Sequence, residues 1–325
     1  MFMVLIYMLS AFAISAILAP FIIGFLRKLK AGQEILKYVD FHQQKSGTPT
    51  MGGFIFILPL IALSPIFLRL TTPLSLIIVI ASLGFALIGF LDDFIKIRTK
   101  NNLGLRAYQK IIGQGGIALL VAIFYVMINP EGRILIPFFN IAWDMGYWIA
   151  PLIFIIIIAT TNSVNLTDGI DGLAGTVTLV YLAIIGIIIS LVDNVITVPE
   201  QTQLLSLIAI IIGGLFGFLL FNTNRASVFM GDTGSLFLGS IIATISIFSF
   251  LGFFIIILGI MFVISSLTVM IQVAYFKKTK GKRVFLMTPY HHHLEKKGWS
   301  EAKIVFTYVT ITVIAGALLI LPLLY

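Results

Sequence analysis

The chain has no cysteine, which excludes disulfides and thiolate metal sites and leaves the redox compartment unreadable. Charge is scarce too. Only 10% of the 325 residues are Asp, Glu, Lys or Arg while 59% are hydrophobic, so a soluble domain around one core is excluded and a bilayer must act as solvent. From Gly234 to Phe276 there are 43 residues without one formal charge. At about 20 residues per span that stretch makes two helices, with the turn expected near Ser249 to Gly252. The N-terminus lacks a basic n-region and a small-residue cleavage site, so its apolar run reads as a retained span rather than a signal peptide. No soluble domain, linker or repeat stands out, and residues 1–325 read as a single integral membrane domain.

Further apolar runs of bilayer length fall at roughly Phe2 to Leu26, Gly52 to Leu68, Leu74 to Leu91, Ile111 to Ile128, Trp143 to Thr161, Leu173 to Val192, Leu204 to Phe221 and Ile304 to Leu324. The sequence therefore predicts an all-α polytopic membrane protein of about ten transmembrane helices. An even count puts both termini on one side. Loops kept in the cytoplasm collect Lys and Arg. With both termini outside, the inner loops are Arg27 to Thr50, Asp92 to Lys110, Asn162 to Gly172, Asn222 to Thr233 and Lys277 to Lys303, and they hold 19 of the 21 lysines and arginines and all four histidines. The net charge of +8 is then a product of topology, and no nucleic-acid partner is implied. The outer segment Asn129 to Tyr147 suits a short hairpin. Gly113 with Gly116, and Gly213 with Gly214 and Gly217, have the spacing that lets helices pack closely in lipid.

Against this background the polar motifs are conspicuous. Asn165-Leu166-Thr167-Asp168-Gly169-Ile170-Asp171-Gly172 sits between two apolar runs, and carboxylates near hydrocarbon mark function by default. Continued as a helix it would put Asn165, Asp168 and Asp171 on one broad face; solvated acids capping a helix are the plain alternative. Asp92-Asp93-Phe94-Ile95-Lys96 closes the third span. Asp92 and Lys96 form an i, i+4 pair, and because neighbours on a helix diverge by about 100°, the two acids are not expected to serve one small ion together. In Phe229-Met230-Gly231-Asp232-Thr233-Gly234-Ser235, Asp232 falls where an N-cap would be, and Phe229 is either a stacking face for a base or a lipid-edge aromatic. His291, His292 and His293 diverge too far to ligate one metal and suit anion contact better. Lys45 to Gly53 resembles a phosphate cradle but lacks the residue order of a P-loop.

Each signal is weak by itself. Together they put five acids, lysines and three histidines at helix ends on one side of the membrane. Carboxylates repel phosphates, whereas Mg²⁺ takes one or two carboxylates plus substrate phosphates, so the set suggests Mg²⁺-assisted chemistry on a diphosphate, with Lys96 and the histidines offsetting the remaining negative charge.

The strings KSGTPTMGG, DDFIK, NLTDGIDGLAG, FMGDTGSLFLG and TPYHHHLEKKGW closely resemble the polyprenyl-phosphate N-acetylhexosamine-1-phosphate transferase superfamily. PTMGG and the triple histidine favour its phospho-N-acetylmuramoyl-pentapeptide transferase branch over the relatives that use UDP-GlcNAc. The resemblance implies a multi-pass enzyme of the bacterial cytoplasmic (inner) membrane with its active site on the cytoplasmic face. It further implies transfer of a phosphosugar-pentapeptide from UDP-MurNAc-pentapeptide to undecaprenyl phosphate, giving lipid I and UMP, with Mg²⁺ as cofactor. This is the first membrane step of peptidoglycan synthesis. By the same resemblance Asp92, Asp93, Asp232 and His291 are the catalytic candidates, and Asp232 is the metal ligand. Lys45, Thr50, Lys96, Asn165, Asp168, Asp171, Phe229, Gln272, His291, His292 and His293 are the substrate-binding candidates, and a homodimer is a further implication. A phosphate monoester is mostly dianionic at neutral pH, which favours direct attack by the lipid phosphate over a covalent phosphosugar on Asp92. A transporter is the reading from another class; it would place its polar residues nearer mid-bilayer.

Overall fold

In hydrocarbon a backbone must satisfy its own N–H and C=O groups, so each apolar run is driven to close its hydrogen bonds as a helix. A computed structural model of the chain describes residues 2–29, 47–68, 73–99, 103–139, 141–192, 197–223 and 225–324. The helices are α1 (Phe2–Lys28), α2 (Phe54–Leu68), α3 (Pro73–Thr99), α4 (Ala107–Ile128), α5 (Ile149–Thr167), α6 (Leu173–Leu191), α7 (Val198–Asn222), α8 (Gly231–Phe248), α9 (Phe254–Leu258), α10 (Ile260–Lys278), α11 (Tyr290–Lys296) and α12 (Glu301–Ile320). Among the described residues nine helices are long and apolar enough to cross a membrane. The tenth apolar run, α2, is shorter at 15 residues and contains Pro59 and Pro65.

The bundle is built around α8, in which every residue from Thr233 to Phe248 is buried. α3 and α5 pack on it, α4 and α10 pack on α5, and α7 carries α1, α2 and α6. Its sequence explains the central place, because small residues let helix axes approach. A Cβ at Gly239 would lie 2.5 Å from the Thr161 Cα of α5, and one at Gly89 of α3 would overlap the Asp232 carbonyl and lie 2.6 Å from the Thr233 amide. Hydroxyls toward its C-terminal end bond back to its own carbonyls, while Ser240 meets Ser82 and Ser246 meets Tyr181 on neighbouring helices. Thr244 donates to the Ser240 carbonyl at 2.6 Å and Ser249 to that of Ile245 at 2.8 Å, so their polarity costs little in the bundle interior.

The expected hairpin is present, with β1 (Arg133–Ile136) antiparallel to β2 (Ile141–Asp144) and Arg133 opposite Asp144. The Leu135 amide donates to the Phe250 carbonyl at 2.8 Å, which ties this hairpin to the C-terminal end of α8. The turn after α8 falls where the uncharged stretch was expected to break. Four boundaries depart most from expectation. Trp143 belongs to β2, so α5 begins at Ile149 and runs on to Thr167; α3 continues to Thr99, which makes Asp92, Asp93 and Lys96 helical. α7 starts earlier, at Val198, where Thr197 and Glu200 form a capping box.

The described parts of the five inner loops meet at the end of the bundle opposite the hairpin. Gly89 governs that meeting. Gly89→Ala should force α3 off α8 and lower stability by about 1–3 kcal/mol, whereas Gly24→Ala, where an added Cβ meets nothing within 4 Å, should not. Thermal unfolding in detergent checks this; equal melting of the two variants would contradict the packing argument.

Candidate active site at one end of the bundle

The first turn of α8 has amide donors with no partner in its own helix. Asp93 of α3 supplies the acceptors: Oδ1 takes the Asp232 N–H at 3.2 Å, and Oδ2 takes the Thr233 N–H at 3.0 Å and its hydroxyl at 2.7 Å. The expectation that Asp232 caps α8 is therefore corrected. Asp232 is the second residue of the helix, its first turn is closed by an acid from another helix, and the Asp232 carboxylate is released for other partners.

Those partners are cations and an amide. Asp232 Oδ2 lies 2.7 Å from Lys110 Nζ and 3.2 Å from Lys96 Nζ, and Oδ1 accepts from Asn165 Nδ2 at 2.8 Å. Asn165 Nδ2 also donates to Ser235 Oγ at 2.8 Å. The Asp92 to Lys96 pair forms as read, at 2.5 Å, while Asp92 Oδ1 accepts the Leu105 N–H at 2.9 Å and so holds the segment leading into α4. Oxygens of Asp92, Asp93 and Asp232 lie within 4.8 Å of one another. Adjacency on α3 did not keep the pair apart, because both carboxylates turn toward the start of α8, but their partners separate them.

The segment from Asn165 to Asp171 is not one helical face. α5 stops at Thr167, Asp168 is its C-cap, and Gly172 turns the chain with a φ of +74° into α6. Asp171 Oδ2 accepts the Ala226 N–H at 2.8 Å, and Asn222 takes the Gly172 N–H at 3.1 Å while donating to the Val228 carbonyl at 2.9 Å. Asp171 thus braces the approach to Phe229. Asp168 has no side-chain hydrogen bond or ion pair among the described residues. Burial pushes its carboxyl up to about 8, and the nearby charges of Asp232, Asp93 and Asp171 add to the shift.

The segment before α2 is zipped to the one before α8. Phe229 N–H donates to the Pro49 carbonyl, Gly52 N–H to that of Phe229 and Gly53 N–H to that of Met230, at 2.8, 2.8 and 3.0 Å. Gly231 has a φ of +70°, and a Cβ there would sit 2.5 Å from both Asp93 Oδ2 and Thr50 Oγ1, so glycine is required on both counts. Buried Thr50 accordingly lies at the acid cluster, and Phe229 is half-buried beside it. Lys45 lies outside the described residues.

The histidines diverge as their spacing predicts. His291 is fully buried and packs on Gly169, where any Cβ would run into its imidazole. His292 Nδ1 is 2.6 Å from Glu295 Oε2, and His293 Nδ1 accepts the Leu286 N–H at 3.1 Å. Gln272 stands in the last turns of α10, not at mid-span. Its Oε1 accepts the Val284 and Phe285 amides at 2.9 and 3.0 Å and its Nε2 donates to the Phe285 carbonyl at 3.1 Å, so it braces the loop that leads to the histidines. Sequence reasoning missed Lys110, the closest cation to Asp232, along with Thr233 and Ser235. Lys110 sits alone in the first turn of α4 with no motif around it.

The donor set is all oxygen, hard and anionic, and Asp168 has no ion pair among the described residues, which fits Mg²⁺ rather than a softer ion. Fold and site together define a polytopic membrane protein with a lysine-balanced acid cluster suited to metal and phosphate. Residues 75–250 match the model of glycosyl transferase family 4. The chain is 41% identical to the phospho-N-acetylmuramoyl-pentapeptide-transferase of Halalkalibacterium halodurans, over 97% of this chain and 96% of that one. It is similarly 41% identical to the one from Heliobacterium modesticaldum (96% of each chain) and 42% identical to the one from Bacillus licheniformis (97% and 95%). The chain belongs to the phospho-N-acetylmuramoyl-pentapeptide-transferase branch of glycosyl transferase family 4.

The two acids that touch α8 should separate by readout. Asp93→Ala strands buried donors at the start of α8 and should cost about 1–3 kcal/mol of stability, whereas Asp232→Asn keeps the helix closed and should melt nearer to the native protein. Unfolding midpoints in the same detergent decide this, and the reverse order would refute the capping role.

Proposed function

We propose that this protein transfers phospho-MurNAc-pentapeptide from UDP-MurNAc-pentapeptide to undecaprenyl phosphate, releasing UMP and leaving a lipid-linked diphosphate. The observation that carries the reading is the lysine-bridged cluster of Asp92, Asp93 and Asp232 beside Asp168, which has no ion pair among the described residues, in a chain of this family. The site is assigned to the cytoplasmic face of the bacterial inner membrane, with both termini outside, because the loops that converge on it carry nearly all the lysines and arginines. The whole chain acts as one integral membrane transferase domain.

In this mechanism an oxygen of the lipid phosphate forms a bond to the phosphorus that bears the sugar. The bond from that phosphorus to the UMP oxygen breaks, and its electron pair leaves with UMP. Mg²⁺, held by Asp232 with Asp92 or Asp168, would neutralise part of the diphosphate charge. Lys96 and Lys110 offset the rest, since two anions must approach each other for reaction. Asn165 orients the Asp232 carboxylate, Phe229 offers a face to the uracil, and Thr50, Asp171, Gln272 and the histidines border or brace the donor pocket. Asp92 has Lys96 on one oxygen and the Leu105 amide on the other, a poor state for a nucleophile, which favours direct attack over a covalent route. The homodimer stays an implication of the resemblance and supplies no residue used in this scheme.

Purified protein with a polyprenyl phosphate and Mg²⁺ should release UMP from UDP-MurNAc-pentapeptide and not from UDP-GlcNAc; the opposite preference would overturn the donor assignment. Asp232→Asn should lower turnover by about a hundredfold or more. Labelled UMP should not exchange into the donor without lipid acceptor, and exchange under those conditions would replace direct attack by the covalent route.

A further inference from the structure

One helical turn below the lysines lies a polar contact that the chemistry above does not use. Gln114 of α4 is fully buried, and its Oε1 accepts from Asn162 Nδ2 of α5 at 2.7 Å while Asn162 also donates to its own Ile158 carbonyl at 2.8 Å. Gln114 Nε2 is buried without an acceptor among the described residues. Gln114 follows Lys110 by four residues and Asn162 precedes Asn165 by three, so each amide shares a helix face with a group that holds Asp232. The same two helices are joined at two levels: through Asp232 above, by Lys110 and Asn165 on its opposite oxygens, and directly between the amides below.

α4 needs such a tie. Gly113, Gly115 and Gly116 surround Gln114, and glycine loosens a helix interior. A Cβ at Gly116 would meet nothing within 4 Å and one at Gly115 would find only Phe154, at 3.6 Å. The closer apolar contact here is toward α3, where a Cβ at Gly113 would lie 3.2 Å from Ile88 and Ile117 packs on Gly84, so the amide pair is the polar contact that fixes this turn against α5. A leucine would also spare the fold an unpaired buried amide, so the glutamine is not explained by stability.

We propose that Gln114 and Asn162 are a positioning pair: their amide contact sets the rotation and height of the first turns of α4 against α5, and thereby holds Lys110 Nζ on Asp232 opposite Asn165. The inference rests on the transfer reaction proposed above, and wild-type turnover in the same assay tests that reaction independently. With the full chain in detergent, Gln114→Leu should lower kcat by about tenfold and leave the donor KM within about twofold. In Lys110→Met the same change should have no further effect, because a pair that acts only through Lys110 has nothing left to position. Multiplying losses in the double variant, a raised KM with unchanged kcat, or no change in either constant would each overturn the proposal. If Gln114→Leu does not yield folded protein, Asn162→Ala removes the same bond from the other helix and takes its place, with the same outcomes read the same way.

Discussion

The hydrogen bonds from the first turn of α8 to Asp93 are the constraint on which the polar end of this bundle depends. A helix that begins inside a protein needs acceptors for its first amides, and a buried carboxylate needs donors; α3 and α8 meet both needs at once. The contact requires the backbones to touch. Gly89, one turn before Asp93 on the same face of α3, is the residue that allows it. Because both Asp93 oxygens are taken by Asp232 N–H and by Thr233, the Asp232 carboxylate is left to bind cations. Of the three acids, Asp93 thus builds the site and Asp232 is the one it serves.

Charge balance explains the rest of the cluster. Two ammonium groups share one oxygen of Asp232, an arrangement that mutual repulsion would break without Asp92 alongside. Asp168 adds a further acid with no lysine partner among the described residues. A diphosphate and a phosphate brought to this place would add several negative charges in a medium of low dielectric, where an unbalanced charge is expensive. The cluster can accept them only if cationic charge is concentrated among the acids, and a hard divalent ion supplies that in one position.

Much of this was legible in the sequence. The uncharged stretch, the hairpin and the four polar motifs that lie wholly within the described residues stand at the helix ends where composition and patterning put them, since length in a bilayer and local turn chemistry are properties of short segments. What failed were inferences about direction. Helical periodicity could not foresee that α5 would end at Thr167 and send Asp171 toward Ala226, because Gly169 and Gly172 permit a turn as readily as a helix. Capping rules named Asp232 for α8 because they look only along the chain, and the true acceptor lies 139 residues away. Lys110 was invisible for a related reason: a single lysine near a helix start has many innocent explanations, and only the packing of α4 beside α5 brings it to Asp232.

The depth at which each kind of polar group sits follows one rule. Backbone that departs from the helix is tolerable only where water or a ligand can satisfy it, so the turns at Met51 to Gly53, Asp168 to Gly172 and Phe229 to Gly231 all lie at the end of the bundle. The carboxylates and ammonium groups of the site lie at that same level, and Asp92 and Asp232 have the lysines as partners. One turn deeper, Gln114 and Asn162 carry dipoles rather than charges, and the Ser163 to Ser266 contact and the self-bonded hydroxyl of Thr161 lie close to them. Each step inward lowers the cost of desolvation while keeping the contact between helices directional, which apolar packing in lipid does not provide. A catalytic end built from long, flexible lysines is held in register by such graded support below it.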